Sequence, residues 1–170
     1  MHKEKGVGLA KEVFNESNME LLTGNIGISH NRYPTHGGFS HGEVQPFWTS
    51  VPYGIALAHN GNLTNYHELS EEVTKQETRY LNTTSDTEVL LHLFADRLHK
   101  NIPPKTSEEF FDLLCEAVTS IFQKVNGAYS VTSLIIGKGL VVFRDPQGIR
   151  PLVKGERSNG NGEKDYIFAS

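Results

Sequence analysis

The chain has 170 residues, of which 37% are hydrophobic, and its 16 basic and 20 acidic side chains give a formal net charge of -4. This balance supplies no positive surface for DNA, RNA or anionic lipid, and no apolar run approaches the ~20 residues that cross a bilayer. Residues Met1 to Lys5 are followed by no apolar core of a signal peptide. We therefore expect one soluble, cytoplasmic domain.

Helical and extended patterns occur in groups along the chain, which predicts the α+β class. Short helical pieces are predicted from Leu9 to Leu22, with a break near Asn15 to Asn18, where polar side chains compete for backbone hydrogen bonds. A strand is predicted from Asn25 to about Asn31. The stretch from Tyr33 to Pro46 is rich in glycine and proline and indicates a long ordered loop.

Two strands and two helices are predicted next. The strands run from Phe47 to Ser50 and from Ile55 to His59, joined by a turn. The pairs Asn65 with Glu68 and Ser85 with Glu88 have the spacing of capping boxes, in which the acid bonds back to the first residue's peptide nitrogen. The second helix has an apolar stripe made of Val89, Leu90, Leu93, Phe94 and Leu98.

The C-terminal part begins with the longest predicted helix, from Ser107 to Val125, in which apolar residues recur at a 3.6-residue period. A hairpin follows, with strands from Tyr129 to Ile136 and from Leu140 to Phe143. Short strands at Pro151 to Val153 and Tyr166 to Ala169 are predicted around a glycine- and asparagine-rich loop.

Cysteine and histidine offer little chemistry by themselves. Cys115 lies near the apolar stripe of the longest helix, so we interpret it as a buried and unreactive core residue. His30, His36 and His41 are close in sequence, but their spacing does not match the short, fixed offsets of zinc sites. A metal-dependent hydrolase built on these three histidines remains an alternative hypothesis.

Four other residues each have both an ordinary structural interpretation and a functional one, and their functional interpretations fit together. Arg32 has the bidentate donor geometry that suits a carboxylate, although a surface charge is the ordinary interpretation. Asp86 at a helix start suits either the helix dipole or an ammonium group. Asn60 and Gly61 form either a turn or a pair of donors for an oxyanion. The set fits an α-amino acid whose side-chain carbonyl is attacked.

These residues lie in longer strings, which are Ser29 to Gly37, Ala58 to Asn65, Asn82 to Glu88 and Arg144 to Leu152. In this order they closely resemble the motifs of the class II glutamine amidotransferases. Within that family they resemble the glutaminase domain of the amidophosphoribosyltransferases. His36 departs toward the pattern of the relatives that make glucosamine phosphate.

The resemblance implies the N-terminal nucleophile hydrolase fold, in which two antiparallel sheets lie between layers of helices. It places Arg32, with Thr35 and His36, on the α-carboxylate of glutamine. It places Asp86 on the α-ammonium group of the same substrate.

The resemblance also implies a reaction. An N-terminal cysteine attacks the glutamine amide with its own α-amino group as base, and Asn60 with Gly61 holds the oxyanion. In the complete enzymes the released ammonia reaches a second domain, where it displaces pyrophosphate from phosphoribosyl pyrophosphate and gives 5-phosphoribosylamine for purine synthesis. Those enzymes are homo-oligomers that use Mg²⁺ with phosphoribosyl pyrophosphate, and some hold an iron–sulfur cluster. We expect no cofactor within this segment.

The aligned position of Met1 lies inside the family's domain. We therefore expect the nucleophile strand, and also the phosphoribosyltransferase domain, to lie outside the 170 residues, and this partial domain to be inactive alone. Cys115 cannot substitute, because its nitrogen is part of a peptide bond. A glutamine-binding pseudoenzyme or regulatory domain remains a second alternative.

Overall fold

The computed structural model describes residues 1–32, 41–75, 79–99 and 103–170 of the chain. The helices are α1 (Ala10–Val13), α2 (Glu16–Leu21), α3 (Tyr66–Lys75), α4 (Asp86–Leu98) and α5 (Ser107–Lys124). The strands are β1 (Phe47–Thr49), β2 (Ile55–Leu63), β3 (Gly127–Ile135), β4 (Gly139–Arg144), β5 (Val153–Ser158) and β6 (Lys164–Ala169).

Strands β1 to β4 form one antiparallel sheet in the order β1-β2-β3-β4, and β5 pairs with β6 in a separate hairpin. Leu57 lies opposite Phe47 on one side and Ser133 on the other. Successive side chains of a strand point to opposite faces, so Ile55, Leu57 and His59 share one face. Helix α4 packs against β1 and β2, and α3 and α5 pack against α4.

The core lies between this face and the helices. Its largest fully buried side chains are Tyr129, Phe94, Ile55, Leu57, Leu90, Leu91, Leu93, Leu98, Ile121, Ile135, Val73 and Val89. Burial of each such aliphatic or aromatic side chain contributes about 1.5–3 kcal/mol of transfer free energy. The apolar stripes predicted for α4 and α5 therefore form much of the hydrophobic core that stabilises the domain.

Several predicted elements are confirmed. Helices α1 and α2 are separated at Phe14 and Asn15, and the Asn15 side chain caps α2 by accepting from the Asn18 peptide nitrogen at 3.1 Å. Strand β1, helix α5 and the hairpin β3 and β4 lie close to their predicted positions, whereas β2 begins as predicted at Ile55 and runs four residues beyond the predicted end at His59. Strand β6 begins two residues before its predicted start, and β5 shares only Val153 with the strand predicted from Pro151 to Val153. No helix in the described ranges is long and apolar enough to cross a membrane.

The strand predicted for residues 25–31 is wrong. No ladder partner pairs with this segment among the described residues, and Ile26 is half exposed. Alternating apolar residues give a strand only where a neighbouring strand takes up the backbone groups. Of the loop predicted from Tyr33 to Pro46, residues 33–40 lie outside the described ranges, and His41–Glu43 forms a single 3-10 turn.

The predicted burial of Cys115 is also wrong, because its side chain is exposed. Leu113 and Ala117 are buried on α5, and Cys115 lies two residues from each. Two residues correspond to about 200° around an α-helix, which places the thiol on the opposite face. Proximity to an apolar stripe in sequence is therefore not proximity on the helix surface.

Neither capping box forms. At α3 the Asn65 side chain donates to the Lys124 carbonyl and accepts from the Asn126 peptide nitrogen, both at 2.9 Å. Asn65 thus joins the start of α3 to the end of α5. At α4 the acid of the predicted box has a different partner, described below.

Candidate active site

Strand β2 carries both predicted oxyanion donors. Asn60 and Gly61 lie within the strand rather than in a turn, opposite Ser130 and Tyr129 of β3. Gly61 has φ of +143°, and a Cβ at this position would lie 2.0 Å from the carbonyl oxygen of Ala128. Only glycine fits such a close approach. The Asn60 amide nitrogen lies outside the core and donates to Ser170 Oγ at 3.2 Å.

Asp86, the first residue of α4, is held against the same strand. Its Oδ2 accepts from the Leu63 peptide nitrogen at 3.3 Å, and its Oδ1 lies 3.5 Å from His59 Nδ1. Burial by itself would raise the pKa of Asp86, but the His59 ring and the peptide N–H groups of Leu63 and Thr87 hold that pKa below its usual range. The carboxylate is therefore anionic at neutral pH, as an ammonium-binding group must be.

Glu88 fixes the loop that leads to Asp86. Its Oε1 accepts from the peptide and side-chain nitrogens of Asn82 at 2.9 and 3.0 Å. Its Oε2 accepts from the peptide nitrogen and hydroxyl of Thr83 at 2.8 and 2.7 Å. Burial of Glu88 opposes ionisation, but these four donors outweigh it and lower the pKa. The capping role predicted for Glu88 is wrong, since Ser85 alone caps α4, accepting from Thr87 at 3.3 Å.

Arg32 lies on an irregular segment and not on the core. Its Nη1 pairs with Glu43 Oε2 at 2.5 Å, and its side chain is 38% exposed. Together with His30 it lines a cavity of about 270 Å³ between residues 4–14 and residues 44–45. The His30 ring lies near His59 of β2, and burial lowers the pKa of this ring.

The structure thus brings Asn60, Gly61 and Asp86 to one strand–helix junction, and Arg32 lies two residues from His30, which is near His59 of the same strand. The other two predicted carboxylate-binding residues, Thr35 and His36, lie outside the described residues. Among the side chains that the structure does describe, no group of three or more histidine, cysteine, aspartate or glutamate residues could hold a metal ion.

His59 and Gln45 are site residues that the sequence analysis did not identify. Gln45 Oε1 accepts from the His59 peptide nitrogen at 2.7 Å, and the His59 ring is buried beside Asp86. The available signal was a histidine at an apolar, core-facing position of β2, next to the predicted oxyanion donors. A buried polar ring requires a partner, and Asp86 supplies it.

Residues 30–170 match the family model described as a glutamine amidotransferase domain. The chain belongs to this family. The domain is 45% identical over 168 residues to the amidophosphoribosyltransferase of Escherichia coli strain K12, with 98% of this chain and 32% of that protein covered. It is 48% identical over 166 residues to the Haemophilus influenzae enzyme of that name, with 98% and 32% covered. It thus spans about a third of the length of these relatives.

Solved structures agree with this assignment. The glutamine phosphoribosylpyrophosphate amidotransferase from B. subtilis, complexed with ADP and GMP, overlaps the domain with a TM-score of 0.56 at 30% identity, over 82% of this chain and 26% of that one. A structure described as the allosteric regulatory enzyme of purine biosynthesis gives a TM-score of 0.59 at the same identity and coverage. The predicted α+β class and N-terminal nucleophile hydrolase fold are confirmed.

Proposed function

We propose that this domain is the glutaminase part of an amidophosphoribosyltransferase. It binds glutamine and releases ammonia, which converts phosphoribosyl pyrophosphate to 5-phosphoribosylamine and pyrophosphate in the first step of de novo purine synthesis. The observation that carries the proposal is the junction of β2 and α4, where an anionic carboxylate and an amide donor pair are fixed by the same strand. Identities of 45% and 48% to amidophosphoribosyltransferases support the choice within the family.

Each polar group of glutamine has a complementary residue in this proposal. Asp86 binds the α-ammonium group, and Arg32 with Thr35 and His36 binds the α-carboxylate. A thiolate attacks the side-chain carbonyl carbon, and Asn60 Nδ2 stabilises the negative oxygen that forms, together with the Gly61 peptide nitrogen. The nucleophile's own α-amino group, which took the thiol proton, gives it to the nitrogen as the C–N bond breaks, so ammonia leaves, and water then hydrolyses the thioester to glutamate.

The nucleophile in this proposal is an N-terminal cysteine that the 170 residues do not contain. Cys115, the one cysteine in the sequence, lies on the exposed face of α5 and keeps its nitrogen in the helix backbone. Phosphoribosyl pyrophosphate and its Mg²⁺ are assigned to a second domain of a homo-oligomer, and no residue of this chain is assigned to them. One thiol cannot ligate an iron–sulfur cluster, so none is assigned here.

The test uses the full-length protein that contains this chain. Pyrophosphate release from phosphoribosyl pyrophosphate is measured with glutamine and, separately, with ammonium chloride. We expect both nitrogen sources to support synthesis, with one glutamate formed per pyrophosphate in the glutamine assay, and the same rates in a Cys115→Ala variant. Binding of glutamine without hydrolysis would overturn the proposal in favour of a glutamine-binding pseudoenzyme.

A further inference from the structure

The buried histidine of β2 has no role in the proposed chemistry. The His59 side chain is only 2% exposed, and its Nδ1 faces two oxygens, Asp86 Oδ1 at 3.5 Å and Thr87 Oγ1 at 3.3 Å. An ionised carboxylate oxygen only accepts hydrogen bonds, so a bond from His59 to Asp86 requires the tautomer with the proton on Nδ1. Nε2 is buried without a hydrogen-bond partner in the part of the chain that the structure describes.

Burial and one backbone contact limit where this ring can lie. The Gln45 side chain accepts from the His59 peptide nitrogen at 2.7 Å, and the His59 side chain is almost fully buried. A ring packed in the protein interior has little room to move with a displaced carboxylate. His59 therefore gives Asp86 a neighbour that is held by the core.

The two carboxylate oxygens of Asp86 have different contacts. Oδ2 is bound by the Leu63 peptide nitrogen of β2, while Oδ1 has His59 as its side-chain partner. A carboxylate accepts about four hydrogen bonds, and Leu63, Thr87 and His59 account for three of them, so capacity for one ligand donor is left. The Asp86 side chain is 25% exposed, which leaves it accessible to a substrate ammonium group.

We infer that His59 is a positioning residue for Asp86, holding the carboxylate at the edge of β2 so that it binds the α-ammonium group of the substrate. His59 itself does not touch the substrate. This inference rests on the proposed function, and it adds a residue that determines selectivity for an α-amino acid over the corresponding acid without the amine.

The experiment compares His59→Leu with His59→Asn in the full-length protein. Leucine fills the space without a donor, whereas the asparagine amide nitrogen occupies about the position of Nδ1 and donates to Asp86. We expect His59→Leu to raise the KM for glutamine about 10- to 100-fold, the range for losing one hydrogen bond to a charged group. His59→Asn should restore the KM to within about threefold of wild type.

Inhibition constants separate positioning from a general structural role. L-Glutamate carries the α-ammonium group, and glutarate is the same diacid without it. His59→Leu should weaken inhibition by L-glutamate about 10- to 100-fold and leave inhibition by glutarate unchanged. Equal weakening of both ligands would overturn the inference, as would equal loss of the glutamine-dependent and ammonia-dependent rates.

A control variant tests the positioning role of His59, and the wild type tests the proposed glutaminase function separately. His92 is a partly buried histidine on α4 whose Nε2 lies 4.0 Å from Glu88 Oε1, and His92→Leu should leave the KM for glutamine unchanged. A raised KM in that variant contradicts a specific role for His59. Absence of glutamine hydrolysis in the wild type contradicts the proposed function itself, whatever the variants do.

Discussion

The two sides of the proposed glutamine site are built differently. At the junction of β2 and α4, nine of the thirteen residues of α4 are buried, and Asp86 and Glu88 are bound by backbone donors. In residues 1–32, which lead to Arg32, no side chain is buried, and the two helices have four and six residues. The groups proposed for the ammonium and the oxyanion therefore lie on elements that belong to the core, and Arg32, proposed for the carboxylate, does not.

This difference has an energetic consequence. Regions with many buried apolar contacts open only with a large part of the global unfolding free energy, whereas segments with few such contacts open locally. Arg32 is held by an ion pair with Glu43 at the surface, and such pairs contribute about 0.2–1 kcal/mol. Substitutions at the junction should therefore have large effects, and substitutions around Arg32 smaller ones.

The largest effect is expected at Asn60. Asn60→Ala in the full-length protein should lower the glutamine-dependent kcat by about 10²–10³, because one preorganised oxyanion donor is lost. The ammonia-dependent rate and the thermal midpoint should not change, since the Asn60 amide lies outside the core. Asn62→Ala, at the next exposed position on the same face of β2, is the matched control. A change below threefold in kcat would refute the oxyanion role.

Asp86→Asn is expected to act on binding. The amide keeps the size and one acceptor of the carboxylate but loses the negative charge, so the KM for glutamine should rise about 100-fold. The ammonia-dependent rate should stay unchanged in steady-state assays. Asp96→Asn on the same helix removes a carboxylate that lies 3.6 Å from Arg79 and serves as control. An unchanged KM in Asp86→Asn would show that this carboxylate does not bind the ammonium group.

Helix α5 and the strand predicted for residues 25–31 illustrate how far the sequence determines the fold. The stripe of α5 repeats over 18 residues and buries Phe110, Leu113, Ala117 and Ile121, so its pattern alone specifies both the helix and its buried face. Residues 25–31 have a strand-like alternation too, but a strand requires a partner whose position depends on the whole fold. Local periodicity therefore predicts helices more securely than strands.

The same limit applies to the site. The residue types of Arg32, Asp86 and the Asn60–Gly61 pair indicate their chemistry without any structure, and their longer motifs carry the resemblance. Glu88 shows where such reasoning fails, because its spacing from Ser85 fits a capping box and its actual donors lie upstream of the helix. Roles of Thr35 and His36 stay predictions.

The stability of the loop before α4 should depend on pH, because Glu88 binds this loop at the junction of β2 and α4. Because the pKa of Glu88 is lowered in the folded protein, its stabilisation is complete above the unfolded value of about 4.3 and is lost as pH falls through the folded value. Hydrogen-exchange protection of the Asn82 and Thr83 amides, relative to unfolded-chain rates, should decline in that acid range. Glu88→Gln should lower this protection about tenfold at neutral pH. Glu68→Gln on α3 is the control and should not lower it. Equal protection in both variants would contradict the binding of the Asn82 and Thr83 amides by Glu88.

The smallest effects are expected at the surface ion pair, where two substitutions have opposite signs. Arg32→Ala should raise the KM for glutamine about tenfold and leave ammonia-dependent synthesis intact, and equal loss of both activities would remove Arg32 from the site. Glu43→Gln removes the carboxylate that competes with the substrate for the guanidinium, so the KM should fall about two- to fivefold. If Glu43→Gln instead raises the KM as much as Arg32→Ala does, Glu43 orients Arg32 rather than competing for it. The carboxylate half of the site would then be as preorganised as the junction of β2 and α4.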